Sequence, residues 1–135
     1  MAVPLPARRI LHLDEDICVV DKPAGILSTP APTRSGPDLR ARIAATLEKR
    51  GETKRLFAVH RLDEDTTGSI VFARTDSAQR ALEAQFRKHE PQRVYHALVL
   101  GTPKLRQAVI ESKLDAGADG MVRVVPRGGQ VARTE

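Results

Sequence analysis

A chain of 135 residues with 22 Lys and Arg against 17 Asp and Glu is long enough for one compact domain with a real core and too short for two full-sized ones. Its net charge of +5 and sequence pI near 9.9 favour polyanionic partners, but the basic residues are interleaved with acids and mark neither a basic tail nor an anionic-lipid anchor. The single cysteine excludes an internal disulfide and a cysteine-based zinc site. No apolar run approaches the roughly twenty residues of a membrane span, and Met1-Ala2-Val3-Pro4-Leu5-Pro6 lacks a signal-peptide core, so the expected compartment is cytoplasmic.

Hydrophobic residues make up 41% of the chain but aromatics only 3%, so the core is expected to be built from Leu, Ile, Val and Ala. After a Pro-containing lead at residues 1–9, Ile10 to Leu13 and Ile17 to Val20 are two apolar runs separated by Asp14-Glu15-Asp16, the pattern of strand, tight turn and strand. Cys18 lies inside the second run and reads as a small core residue. That run ends at Lys22-Pro23-Ala24-Gly25, a loop entered from a strand. From Ser28 to Pro37 the richness in Pro, Ser and Thr predicts an irregular surface crossing.

A helix follows, with Pro37 suited to its first turn, Leu39, Ile43 and Leu47 recurring every four residues, and Gly51 after the basic pair Lys49-Arg50. Leu56 to Val59 and Ser69 to Ala73 are predicted strands on either side of a polar stretch. A second helix runs from Asp76 to about Lys88, with Asp76 and Gln79 spaced as a capping box and Ala78, Ala81, Leu82 and Phe86 on one face. Val94 to Leu100 is largely apolar on both faces, apart from Tyr95 and His96, and predicts a central strand. Ala108 to Ser112, Met121 to Val125 and Val131 to Glu135 predict further strands, with a turn at Gly128-Gly129. A last strand this short buries little, so the chain is expected to end inside a domain. There is no internal repeat and no coiled-coil heptad.

The densest cluster of functional groups is His60-Arg61-Leu62-Asp63-Glu64-Asp65-Thr66-Thr67-Gly68, which places carboxylates on a loop between two strands. Taken alone, it describes a solvated turn in which Asp and Thr bond nearby backbone. Asp63, Asp65, Thr67 and Gly68 imitate the opening of an EF-hand loop, but the closing Glu should fall where Arg74 stands, so calcium is rejected. His60, His89 and His96 show no recurrent ligand spacing, and no metal is expected. GxxxxGK[ST], GxGxxG and GxSxG patterns are absent, leaving Asp63 as the best catalytic candidate.

His60-Arg61-Leu62-Asp63 followed by Thr67-Gly68 resembles the HRLDxxTSG signature of the RluA-type pseudouridine synthases. Val20-Asp21-Lys22-Pro23-Ala24-Gly25 resembles that family's early lysine-proline-glycine motif, and Arg93-Val94-Tyr95-His96-Ala97-Leu98-Val99 its later tyrosine-bearing strand. The resemblance runs from about residue 10 to residue 135, with Thr67 in place of the usual Ser and Arg93 where Lys is frequent. A segment resembling TGRTHQIR, whose basic residue reaches the catalytic aspartate in the family, is not in this sequence.

The resemblance implies an α/β mixed (α+β) fold, mostly antiparallel sheet with two flanking helices, forming an incomplete catalytic domain over residues 10–135. It implies isomerisation of a uridine in ribosomal or transfer RNA, with Asp63 and Tyr95 catalytic and His60, Arg61, Leu62, Thr67 and Lys22 at the substrate. By the same resemblance Arg61 fills the space of a flipped nucleotide, while its plainer role is an ion pair with Asp63 or Glu64. Lys22 either lines the site or contacts phosphate, and Tyr95 stacks on the base unless it is an ordinary core tyrosine. No cofactor is required, and the expected partner is RNA, with no membrane and no metal. Two rival readings stand beside this one: a catalytically inactive RNA-binding remnant, and a non-RNA interaction protein in which the Asp63 loop is merely structural.

Overall fold

A computed structural model describes residues 2–31, 36–117 and 121–135. Contacts gather them into two compact units that divide between Val94 and Tyr95. The architecture is the expected α+β one: every strand pair is antiparallel, and there are two α-helices among the described residues. No helix among the described residues is long and apolar enough to cross a membrane.

The first unit is built on a sheet of four strands in the order β1-β2-β4-β3. Strands β1 (Ile10–Leu13) and β2 (Ile17–Lys22) are joined by a turn in which the Asp14 carboxylate accepts the amides of Asp16 and Ile17, both at 2.8 Å. Such short-range side-chain bonds are why Asp favours this position. Strand β4 (Gly68–Ala73) pairs with β2 along its whole length, from Ile17 opposite Ala73 to Lys22 opposite Gly68. Strand β3 (Phe57–Ala58) is shorter than the sequence suggested. Its register would next set Val59 against Val71, but there the chain leaves the ladder and the Val71 amide donates to the His60 ring instead.

Helix α1 (Leu39–Glu48) starts two residues after Pro37, which stands outside the first turn, because Asp38 is the cap and its carboxylate accepts the Ala41 amide at 2.9 Å. Its stripe of Leu39, Ile43 and Leu47 is fully buried, meeting Cys18, Val20, Ile70 and Phe72 of the sheet in one core with Leu5, Leu56 and Leu62. The core is aliphatic apart from Phe72 and Cys18, in keeping with the composition. Burial pushes the Cys18 thiol up to about 11, which suits an inert core residue.

Helix α2 (Asp76–Arg87) is capped by Thr75, whose hydroxyl accepts the Ala78 amide, and not by the Asp76 and Gln79 capping box. A cap must be the last residue with extended backbone, and that is Thr75 at φ −132°; Asp76 already lies in the first turn. Gln79 turns instead along the helix to Glu83. Ala78, Leu82 and Phe86 are half-buried while Ala81 is exposed.

The second unit is a three-stranded sheet ordered β6-β5-β7, from β5 (Ile110–Ala116), β6 (Val122–Val124) and β7 (Gln130–Thr134). Gly129 in the turn before β7 has φ +70°, and a Cβ there would lie 2.6 Å from the Leu114 carbonyl oxygen, so the turn requires glycine. The expected central strand over residues 94–100 does not form: the stretch is irregular, with Leu98 and Leu100 fully exposed. A strand apolar on both faces needs neighbours at both edges and layers on both faces. Among the described residues no strand pairs with it. Of the predicted crossing from Ser28 to Pro37, residues 32–35 lie outside the described residues, and the described remainder forms no helix or strand.

Candidate functional site

The polar stretch singled out in the sequence is the loop from β3 to β4, at residues 59–67. It is held from beneath by side chains at the end of β2 and in the segment that follows it. Lys22 is the last residue of β2, on the face that also buries Cys18 and Val20, and its side chain is fully buried. Its ammonium donates to the carbonyls of Pro23 at 3.1 Å, Glu64 at 2.6 Å and Thr66 at 2.8 Å, so all three donors are used. Burial lowers its pKa from the ordinary 10.5, and the negative charges of Asp65, Glu64 and Asp63 oppose that shift. A phosphate contact from Lys22, one of its two expected roles, is therefore corrected: the group has neither exposure nor a spare donor.

Two further bonds complete the support. The Gly25 amide donates to the Glu64 carbonyl at 3.0 Å. Ser28, also buried, donates its hydroxyl to the Leu62 carbonyl at 2.6 Å and accepts the Leu62 amide at 3.1 Å. Leu62 itself is only 7% exposed and belongs to the core, so the residue before Asp63 is anchored by both its side chain and its backbone. The Thr66 amide closes the loop on the Asp63 carbonyl at 3.2 Å.

His60 stands at the point where β3 leaves the sheet. Its Nε2 accepts the Val71 amide at 3.1 Å, and its ring stacks on Phe86 of α2 with centroids 4.4 Å apart. Burial first, and then the Arg93 charge, lower its pKa below the ordinary 6.5, so the ring is neutral at pH 7. Because Nε2 accepts a bond it carries no hydrogen, which puts the proton on Nδ1, a buried atom with no partner. His60 thus ties the loop to β4 and α2.

The side chains that remain available are those of Arg61, Asp63, Asp65 and Thr67, all exposed. Among the described residues neither Asp63 nor Arg61 makes a side-chain hydrogen bond or ion pair, so the expected Arg61 ion pair is not formed. Tyr95 belongs to the second unit, in an irregular stretch, and is 56% exposed; it is not a core tyrosine. No three His, Cys, Asp or Glu side chains among the described residues are grouped to hold a metal ion.

The model of the family described as RNA pseudouridylate synthase matches residues 16–135, nearly the whole chain. This chain belongs to the RluA-type RNA pseudouridylate synthase family. Among curated relatives it is 38% identical over 105 residues to the dual-specificity RNA pseudouridine synthase RluA of Salmonella typhi, covering 78% of this chain and 46% of that protein. It is 36% identical over 127 residues to the uncharacterized RNA pseudouridine synthase YhcT of Bacillus subtilis, covering 93% and 42%. The solved structure of human RNA pseudouridylate synthase domain containing 4 shares the fold, with a TM-score of 0.67 at 22% identity, over 93% of this chain and 51% of that one. The chain thus spans about half the length of the relatives it matches.

Sequence reasoning missed Ser28, which it placed in a surface crossing. A serine in a Pro- and Thr-rich stretch carries no local signal of burial; only its partner, 34 residues away, reveals its part in the loop.

Proposed function

We propose that this chain carries the uridine-isomerising chemistry of an RNA pseudouridine synthase, with Asp63 as the reacting carboxylate. One observation supports the reading above others: Asp63, which like Asp65 is an exposed carboxylate with no hydrogen bond or ion pair among the described residues, is the one that stands in the His60-Arg61-Leu62-Asp63 motif, and its neighbouring backbone is locked on both sides, by Ser28 at Leu62 and by Lys22 and Gly25 at Glu64. A rigid backbone carrying a free acid is what a positioned nucleophile or base requires.

In the reaction the bond from C1′ of the ribose to N1 of uracil breaks and the base turns while held. C1′ then joins C5, the C5 proton is removed, and N1 gains one, so substrate and product are isomers. A carboxylate serves this by adding to C1′ and leaving again, or by stabilising the cationic sugar and moving a proton. Neither path requires a cofactor. The uridine has to leave its stack to meet the acid, at a cost of a few kcal/mol, and the exposed, unpaired Arg61 guanidinium suits the vacated space. Thr67 offers a free hydroxyl beside the same loop. Tyr95 enters on the match of Arg93-Val94-Tyr95 to the family motif, as the ring stacked on the base. The substrate class is ribosomal or transfer RNA, whose phosphates the scattered Arg and Lys residues would bind with strong salt dependence.

The test is to incubate the purified chain with transcribed ribosomal and transfer RNAs and to quantify pseudouridine by nucleoside chromatography. Product is expected from the wild type, and Asp63→Asn is expected to lower the rate at least about a hundredfold. Equal product from both proteins would refute the assignment to Asp63. RNA binding without product from the wild type would leave the inactive remnant as the reading, and no RNA binding would favour the interaction protein.

A further inference from the structure

We propose that Ser28 is a positioning residue for Asp63. The inference rests on the proposed role of Asp63 and adds a residue that lies outside all three family motifs. One oxygen atom makes both bonds: Ser28 Oγ donates to the Leu62 carbonyl at 2.6 Å and accepts the Leu62 amide at 3.1 Å. The amide belongs to the peptide plane between Arg61 and Leu62, and the carbonyl to the plane between Leu62 and Asp63. These are the two planes that meet at the Leu62 α-carbon. Holding both through a single atom fixes φ and ψ of Leu62 together, and with the Leu62 side chain seated in the core it sets where the Asp63 α-carbon stands.

Upstream, the His60 ring holds the start of the loop and the Leu62 side chain sits in the core, and the remaining backbone supports act downstream of Asp63. Lys22 grips the Glu64 and Thr66 carbonyls, and the Gly25 amide shares that of Glu64. Ser28 supplies the upstream backbone bonds next to Asp63, so without it the two peptide planes at Leu62 lose their hydrogen-bonded hold and are free to turn about the seated Leu62 side chain. The consequence is chemical. Among the described residues the Asp63 carboxylate has no hydrogen bond of its own to hold it, so its placement depends on the backbone, and a displacement of about 1 Å can cost roughly a hundredfold in rate. A merely structural serine would affect stability alone. Thr46 provides the comparison: it is a similarly buried residue whose hydroxyl donates to the Leu5 carbonyl at 2.6 Å and, among the described residues, makes no hydrogen bond to the loop at residues 59–67.

The experiment compares wild type, Ser28→Ala, Thr46→Val and Asp63→Asn by three measurements: amide hydrogen exchange, RNA affinity, and the single-turnover rate of pseudouridine formation with RNA bound. Ser28→Ala is expected to lose protection at the Leu62 amide while Cys18 and Val20 stay protected, to bind RNA within about twofold of wild type, and to slow the bound reaction about ten- to a hundredfold. Thr46→Val should lower the melting temperature and leave the bound rate unchanged. A Ser28→Ala protein with the wild-type bound rate would overturn the proposal, as would an equal slowing in both hydroxyl variants. If the wild type is no faster than Asp63→Asn, the reading of Asp63 fails by itself, and the exchange data still decide on the clamp: undiminished Leu62 protection in Ser28→Ala would refute it. Should Ser28→Ala not fold, Ser28→Cys, which keeps the volume and a weaker donor, is held to the same outcomes.

Discussion

Replacing Lys22 by Met keeps the apolar stem and removes only the ammonium, which isolates the role of the three carbonyl bonds. Glu64 keeps a donor in the Gly25 amide, so the carbonyls of Pro23 and Thr66 are the ones left short. Each buried acceptor left unpaired costs about 1–3 kcal/mol. The opposing term is the desolvation of the ammonium, which disappears in the variant and whose presence is visible in the lowered Lys22 pKa. Nearby charges on Asp65, Glu64 and Asp63 already offset part of that burial cost, and they repel one another once the cation is gone. The unpaired carbonyls therefore decide the sign, with a net loss of about 2 kcal/mol. For a unit of this size that lowers the melting temperature by about 8–16 °C. Thermal unfolding followed by circular dichroism measures it, and amide exchange at Asp65 and Thr66 should rise first. A Lys22→Met protein as stable as wild type, or more so, would refute the account, since burying the ammonium would then cost more than its bonds return.

Two further predictions concern the elements around the loop. The folded His60 pKa lies below the unfolded 6.5, so between those values the unfolded chain binds more protons and stability rises with pH. The His60 contribution is accordingly present above pH 6.5 and lost as pH falls through the folded value. Urea unfolding between pH 5 and pH 8 should show this slope in wild type and a flatter profile in His60→Gln; parallel profiles would rule it out. Removing the α2 cap with Thr75→Ala should cost about 1 kcal/mol, and Thr75→Ser should recover most of it. The same melting assay decides the matter, because a loss confined to Asp76→Ala would return the cap to Asp76.

Much of this protein is legible in local patterns of its sequence. Two apolar runs on either side of Asp14-Glu15-Asp16 place β1 and β2, and the four-residue recurrence of Leu39, Ile43 and Leu47 places α1 and its buried stripe. The polar break between two apolar runs places the Asp63 loop, and the order of three motifs points to the family. Each of these signals lies within a few consecutive residues, where backbone period and turn chemistry act directly.

What only the tertiary structure decided involves partners distant in sequence. The Lys22 ammonium reaches carbonyls 42 and 44 residues on, and Ser28 reaches Leu62 across 34. Nothing near Lys22 or Ser28 in the sequence says that either is buried. Residues 94–100 carry the composition of a central strand and stand unpaired among the described residues, because a strand is defined by neighbours and not by its own side chains. The sequence alone determined which acid stands in the loop, and the folded chain determined what keeps it there, since hydrogen bonds between distant segments exist only once the core has brought them together.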